Sequence, residues 1–307
     1  MIYSSNYLEQ EIQRTEKLIT KIGQGQNRTL LLDLVLSGGN VLRAESEYFQ
    51  WKIEETEDLD PASYGGFKEG AEYGKSGDDP KRKLQKNNCQ IFREVAEISG
   101  TAMALNPDGI DNHLEKRVEE KLITAKRALN KAMLEGTLQN EDHSNPRKMN
   151  GLLNIIQNSI DMENQPIDKT IFTQAMRKLD ESGNGGTDRL CFANADIKEF
   201  IDGLFGDDAK NHLEIKAGQN TFGVLATSII TNYGTVHVVL DFNMPEGQMM
   251  FFDPGQVFLK VLRPFKIEAP VQDADSVKRV VIGEYSVMMK NPYSAVKVIN
   301  IDLNPGE

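Results

Sequence analysis

The side chains that most often carry chemistry are few in this sequence and lie far apart. The four histidines are His113, His143, His212 and His237. None has a histidine, cysteine or carboxylate at the spacing of a metal site such as HExxH or a CxxC pair. His237 alternates with Val236 and Val238, a pattern typical of a histidine inside a strand. The histidines therefore predict no metal centre, and we expect no cofactor.

Nucleophilic and phosphate-binding motifs are missing as well. Cys89 and Cys191 lie far apart, and only Arg189, two positions before Cys191, could lower a thiol pKa, so we expect two buried, inert thiols. A disulfide between them is possible, although a reducing compartment fits two cysteines better. The glycine-rich segments GQGQNR and ESGNGGTDR match neither GxxxxGK[ST] nor GxGxxG, and no GxSxG is present. The sequence predicts no catalytic residue.

Two charged segments leave alternatives open. The acidic one comprises Glu54, Glu55, Glu57 and Asp58, and the basic one Lys81, Arg82, Lys83 and Lys86. The acidic run could bind a hard cation, but it lacks the turn that brings oxygen ligands together, so a solvated flank is favoured. The basic run could contact nucleic acid or pair with carboxylates of a neighbouring chain.

Composition narrows the class of protein. The chain has 307 residues, and 35 Lys and Arg against 46 Asp and Glu give a net charge of −11. This excess of carboxylates argues against a surface built to neutralise phosphates. The length corresponds to about two domains of roughly 150 residues each. We find no signal peptide and no run of about 18 apolar residues, which predicts a protein that neither carries a secretion signal nor spans a membrane.

The first hundred residues predict an arm and a hairpin. Asn6 and Glu9 resemble a capping box that begins a short helix, and residues 23–40 suggest an extended arm. Phe49, Trp51 and Ile53 alternate with polar residues, so they predict a strand with one apolar face. The return strand is expected at Cys89, Ile91 and Val95, with a mobile tip between. Such a hairpin is marginal alone, because its apolar face needs a second surface.

The remainder predicts an α+β protein. A helix of about 24 residues follows an N-cap at Asp111 and ends near Gly136. Its apolar positions, spaced by three or four residues, are Leu114, Val118, Leu122, Leu129 and Met133. We expect this face to pack on the strands that make up the last third of the chain. Between the two come helices at 168–181 and 195–205, separated by the strand RLCFAN.

This order of elements resembles the major capsid proteins of tailed bacteriophages, the Hong Kong 97-like fold. CQIFREVAEISGTA before the long helix, NPRKMNGLLNII after it, and the stretches LRPF and Glu284–Ile301 are similar to the branch that includes the SU-ten-type major capsid proteins. The resemblance covers the chain from about residue 41 onward. It implies an N-terminal arm at 1–40, an E-loop hairpin at 41–98, a P-domain with a spine helix at 99–148, an A-domain at 149–258 and P-domain return strands at 259–307.

The resemblance also implies what the protein does and with what. The family builds icosahedral shells around the phage genome from hexamers and pentamers of one subunit, in the host cytoplasm. A scaffolding protein, the portal and a decoration protein are the implied partners, packaged DNA is touched only non-specifically, and no membrane is involved. Phe49, Trp51, Ile53, Lys81, Arg82 and Lys83 become candidates for contact with the neighbouring subunit. The competing hypotheses are a decoration or tail-tube subunit, and an enzyme whose site the sequence does not reveal.

Overall fold

The computed structural model describes residues 29–54, 68–70, 82–104, 113–182, 188–206, 216–221, 224–270 and 275–302. The helices are α1 (Leu30–Ser37), α2 (Gly100–Ala104), α3 (His113–Glu135), α4 (Leu152–Ile155), α5 (Thr170–Glu181) and α6 (Ala195–Gly206). The strands are β1 (Val41–Arg43), β2 (Tyr48–Glu54), β3 (Arg82–Asn88), β4 (Gln90–Ser99), β5 (Asn158–Gln165), β6 (Asp188–Ala193), β7 (Lys216–Thr221), β8 (Val224–Thr231), β9 (Gly234–Leu240), β10 (Met249–Phe252), β11 (Val257–Glu268), β12 (Ser276–Met289) and β13 (Val296–Ile301). No helix in these ranges has the length and apolar character of a membrane span.

A four-stranded sheet carries the long helix. Its order is β1-β11-β12-β4, with β1 parallel to β11 and the other pairs antiparallel. Helix α3 packs on β4 and β12 because Val118 and Ala125 face Ala96 and Val281. The α3 face predicted from the spacing of apolar residues is therefore turned toward the return strand.

A seven-stranded sheet forms the second layer, in the order β5-β13-β10-β6-β9-β8-β7. Helices α5 and α6 cover one of its faces. The amphipathic helix α5 buries Phe172, which meets Phe205 of α6 and Phe251 of β10 edge to face at centroid distances of 5.5 and 5.8 Å. These rings join the two helices to the middle of the sheet.

One hydrophobic core connects the two sheets. Phe192 and Phe252 of the seven-stranded sheet contact each other with ring centroids 4.8 Å apart, in the same cluster as Val287 of the four-stranded sheet. Leu31 of α1 and Met133 of α3 complete this cluster. Because both sheets share it, the subunit behaves as one packed body around the central core.

The arm prediction is wrong for its last residues. Residues 30–37 were expected to be extended, but they form α1, and all of its leucines except Leu36 are buried together with Val35. A short, continuous apolar run does not distinguish a buried helix from an extended segment. The capping box at Asn6 and Glu9 lies outside the described residues.

The predicted return strand of the hairpin is also wrong. Strand β2 pairs with β3. Ile91 and Val95 lie in β4, which pairs with β12 instead, and Cys89 lies between β3 and β4. The sequence RKLQKNN of β3 has no apolar alternation, because its residues face solvent or polar groups, so pattern reasoning passed over it. The described strands of the hairpin are therefore Tyr48–Glu54 and Arg82–Asn88, whereas β1 and β4, at the two ends of the predicted range 41–98, belong to the four-stranded sheet.

Two further differences concern the second half of the chain. Strand β5 was not predicted, since its sequence NSIDMENQ is polar and lies at the sheet edge. The segment 259–307, predicted as one set of return strands, divides: β11 and β12 lie in the four-stranded sheet, whereas β13 lies between β5 and β10 in the seven-stranded sheet. Predicted helices 168–181 and 195–205 correspond to α5 and α6.

Candidate functional site

The hairpin of β2 and β3 is a separate two-stranded sheet with two different faces. In the antiparallel register Trp51 lies opposite Gln85 and Ile53 opposite Lys83, and these residues share the inner face with Phe49. The outer face is made of Tyr48, Gln50, Lys52, Glu54, Arg82, Leu84, Lys86 and Asn88. Because neighbouring residues point to opposite faces, each face has its own chemistry.

The inner face lies against the same subunit. Phe49 stacks on Trp51 at 5.8 Å and receives the ammonium of Lys260 at 5.6 Å from its ring centroid. Lys83 donates a hydrogen bond of 3.0 Å to the hydroxyl of Tyr293. Ile53 is only 9% exposed. This corrects the expectation that the apolar face waits for a neighbouring subunit, since the chain already covers much of it.

The outer face is open. Tyr48 is 42% and Leu84 57% exposed, and the other outer-face residues are exposed too, except Asn88, which is buried. Arg82 pairs with Glu54 across the strands at 2.9 Å, so this predicted contact residue already has a carboxylate partner within the subunit. Lys81 lies outside the described residues. The outer face thus presents a tyrosine and a leucine among charged side chains.

The predicted face of α3 differs in burial along its length. Leu129 and Met133 are fully buried in the core between the sheets, and Val118 is buried against β4. Leu114 and Leu122 are half-buried. The last three turns of the helix therefore hold most of its packing, because only they reach the core that the two sheets share.

Groups able to do chemistry do not converge in the described part of the chain. No three His, Cys, Asp or Glu side chains there could hold a metal ion together. Burial raises the pKa of the Cys89 thiol to about 11 and raises the pKa of Cys191 further, which keeps both thiols protonated. His237 Nδ1 lies 2.8 Å from Ser228 Oγ on the neighbouring strand, with Ser228 buried. This is a hydrogen-bonded pair inside the sheet.

Sequence reasoning missed the residues that hold the hairpin. Lys260 and Tyr293, which contact its inner face, come from distant strands and loops and carry no signal in their own neighbourhood. Asn87 donates to the carbonyl oxygens of Val287 and Asn150 at 2.7 and 3.0 Å. The asparagine pair KNNC at the end of the hairpin was the one available hint, since asparagine is uncommon inside strands.

Comparison with solved structures gives close agreement in fold at low identity. The capsid asymmetric unit of cyanophage A-1(L) matches with a TM-score of 0.66 and 9% identity, covering 94% of this chain and 97% of that one. The holo-SrpI encapsulin of Synechococcus elongatus PCC 7942 matches with a TM-score of 0.64 and 10% identity, covering 96% and 94%. The capsid of the native GTA particle matches with a TM-score of 0.62 and 11% identity, covering 94% of each chain.

Two comparisons were made with the sequence itself. A search of curated proteins finds no significant match. A family model described as the SU10 major capsid protein matches residues 5–302, nearly the whole chain. The resemblance read from the sequence is thereby confirmed. The chain belongs to the SU10 major capsid protein family, and it is a structural, shell-forming protein of the virion capsid with the Hong Kong 97-like fold.

Proposed function

We propose that the hairpin 48–88 is the strap that joins neighbouring subunits, and that its outer face makes the contact. The observation that carries this proposal is the exposure of Tyr48 and Leu84 on a two-stranded ribbon that its own subunit holds from the inner side. A two-stranded ribbon with exposed apolar side chains gains stability when a second surface covers them. The neighbouring copy in the shell is a surface of suitable size.

The predicted contact residues then divide into two groups. Phe49 and Trp51 are half-buried, so part of each ring stays accessible to a neighbouring subunit. Ile53 is buried and packs within its own subunit. We infer that Lys81, Arg82 and Lys83 add charge at the rim of the contact. Specific interfaces cover about 800 Å² per partner, and closed rings multiply such contacts, so modest individual contacts suffice for hexamers and pentamers.

The acidic composition bears on the other partners. With a net charge of −11, the chain would hold packaged DNA only by non-specific contact, since it has no excess of cations to release counterions from phosphates. We propose that shell assembly takes place in the host cytoplasm with a scaffolding protein and the portal, that a decoration protein binds the finished shell, and that the subunit catalyses no reaction.

Leu84→Asp tests the strap. In the isolated subunit the new carboxylate would face Lys52, which lies directly opposite on β2, so the hairpin should stay folded. In the shell the new carboxylate and Lys52 would both have to lose their water against the neighbour, which opposes assembly. We expect unchanged melting of the subunit and loss of shells in negative-stain electron microscopy.

The matched control is Leu84→Met, which keeps an apolar side chain of similar volume and should assemble like the original chain. Normal shells from Leu84→Asp would show that the outer face lies outside the contact. A chain that fails to melt cooperatively would show that Leu84 belongs to the subunit's own fold.

A further inference from the structure

The loop between α3 and α4 is closed at its neck by two glycines. Gly151 donates its N–H to the carbonyl of Gly136 at 2.7 Å. A Cβ on Gly136 would lie 2.5 Å from the carbonyl oxygen of Ala132, and a Cβ on Gly151 would lie 2.4 Å from the nitrogen of Gly136, so no other residue fits either position. We call the residues 136–151 the neck loop. Its closed neck makes it a fixed body beside the hairpin.

The neck loop binds four consecutive residues at the foot of the hairpin, 87–90, which we call the foot. Asn87 accepts from the N–H of Asn150 at 2.7 Å, and Asn88 donates to the carbonyl of Gln139 at 2.9 Å. Two further bonds run from Arg147 Nε to the Cys89 carbonyl at 2.7 Å and from the Met149 N–H to Gln90 Oε1 at 3.1 Å. The chain that turns from the hairpin into β4 is therefore held at every residue.

Arg147 is the centre of this arrangement. Its side chain is 11% exposed, and besides Cys89 it bonds Glu284 of β12 at 2.8 Å. Its Nη1 lies 3.3 Å from Glu141 and 3.6 Å from Glu47, the residue before β2. The side chain of Glu284 is 8% exposed, and its other carboxylate oxygen forms an ion pair with Arg263. One planar guanidinium thus joins the neck loop, both ends of the hairpin and the four-stranded sheet.

We propose that the neck loop is a latch that sets the angle of the hairpin, with Arg147 as its positioning residue; this rests on the proposed role of the hairpin as strap. Glu47 and Cys89 lie at the two ends of the hairpin, so the guanidinium fixes both ends against β12. None of its partners belongs to the aliphatic core between the sheets. Opening the latch therefore removes the restraint on both ends of the hairpin and leaves only the contacts of its inner face with Lys260 and Tyr293, so its angle varies more while the subunit stays folded.

The test measures the hairpin angle directly in the unassembled subunit. Spin labels on Lys52→Cys in β2 and Lys126→Cys in α3, both exposed, report the distance between hairpin and body by pulsed electron resonance. Cys89 and Cys191 are buried and protonated, so they do not compete for label. The latch is opened by Arg147→Gln with Glu284→Gln, a double change that leaves no unpaired buried carboxylate at that position.

We expect one narrow distance distribution in the parent and a broad one in the double variant. The matched control, Arg177→Gln with Glu181→Gln, removes an exposed ion pair of 2.7 Å on α5 and should keep the narrow distribution. Amide exchange in β2 and β3 should become about tenfold faster in the double variant, while α5 stays protected. A narrow, unshifted distribution with unchanged exchange would overturn the latch.

A conservative variant keeps the test decisive if the double variant unfolds. Arg147→Lys retains the positive charge near Glu284, but a single ammonium cannot reach all the partners of the guanidinium, so we expect partial broadening in a folded chain. An unbroadened distribution in Arg147→Lys would also overturn the latch. The strap fails separately, because its test is shell formation, whereas the latch is read in subunits that have not assembled.

Discussion

Asp241 is a buried carboxyl group that the fold tolerates at a cost. It lies at the end of β9, where Oδ1 accepts from the N–H and the side-chain amide of Asn243 at 2.8 and 2.9 Å. Oδ2 is buried and has no hydrogen-bond partner among the described residues. Burial raises the pKa of Asp241 from 3.8 to about 6, and the bonds from Asn243 only partly oppose this.

This pKa sets the sign of a pH dependence. The folded chain keeps the Asp241 proton over a pH range in which the unfolded chain has lost it, so the contribution of Asp241 to stability falls as the pH rises from about 4 to about 6. Asp241→Asn cannot ionise, and its advantage over the parent should grow by about 2 kcal/mol between pH 4 and pH 7. Urea unfolding of both chains at pH 4 and pH 7 measures this difference in the free energy of unfolding. An equal difference at the two pH values would contradict the raised pKa.

Residues of this kind also mark how far sequence reasoning reaches. Val118, Leu129 and Met133 were predictable, since apolar side chains at helical spacing must turn to a core. Asn130, between two of them, was not: its Oδ1 accepts from the N–H of Leu32 and so holds α1 against α3. Arg147 was equally hidden, because a polar residue in a loop reveals its partners only when distant strands are brought together.

At the scale of elements, helix α3 is packed into the central core by its C-terminal end only. Its C-terminal turns pack into the core between the sheets, and its N-terminal turns lie only along the four-stranded sheet. The free energy of unfolding should therefore be unevenly sensitive to truncation along the helix.

Alanine substitutions along α3 test this gradient. Leu129→Ala should lower the free energy of unfolding by about 2–5 kcal/mol, as expected for a leucine lost from a close-packed core. Leu114→Ala, at a half-buried position, should cost clearly less. Lys126→Ala, on the exposed face, is the control and should change stability by no more than about 0.5 kcal/mol. Equal losses at Leu114 and Leu129 would contradict the gradient.

The hairpin shows why element boundaries were harder to predict than the fold. Its first strand was visible from the alternation of Phe49, Trp51 and Ile53, but the return strand has Leu84 as its one apolar residue and so no alternation, and it was placed seven residues late. The apolar signal of Ile91 and Val95 belongs to β4, which pairs with β12. A correct order of elements thus coexisted with an incorrect pairing.

At the scale of the whole molecule, the subunit is a folded body with a projecting part. The central core unites both sheets, α1, α3 and α4, and the hairpin adds only its inner face to that body. Separating the two roles is therefore possible by experiment. A change confined to the hairpin should affect assembly, and a change in the core should affect folding.

Electron microscopy of the full chain beside a shortened chain tests the central claim most directly. In the shortened chain, residues 55–81 are replaced by Asn-Gly, which closes Glu54 onto Arg82 with a two-residue turn between strands that are already paired there. The full chain, expressed with a scaffold, should form closed shells. The shortened chain keeps the outer face of β2 and β3 but loses the 27 residues between them that give the strap its length, so it should melt at nearly the same temperature and form no closed shells. Shells of normal size from the shortened chain, or only small oligomers from the full chain, would contradict a shell held together by this hairpin.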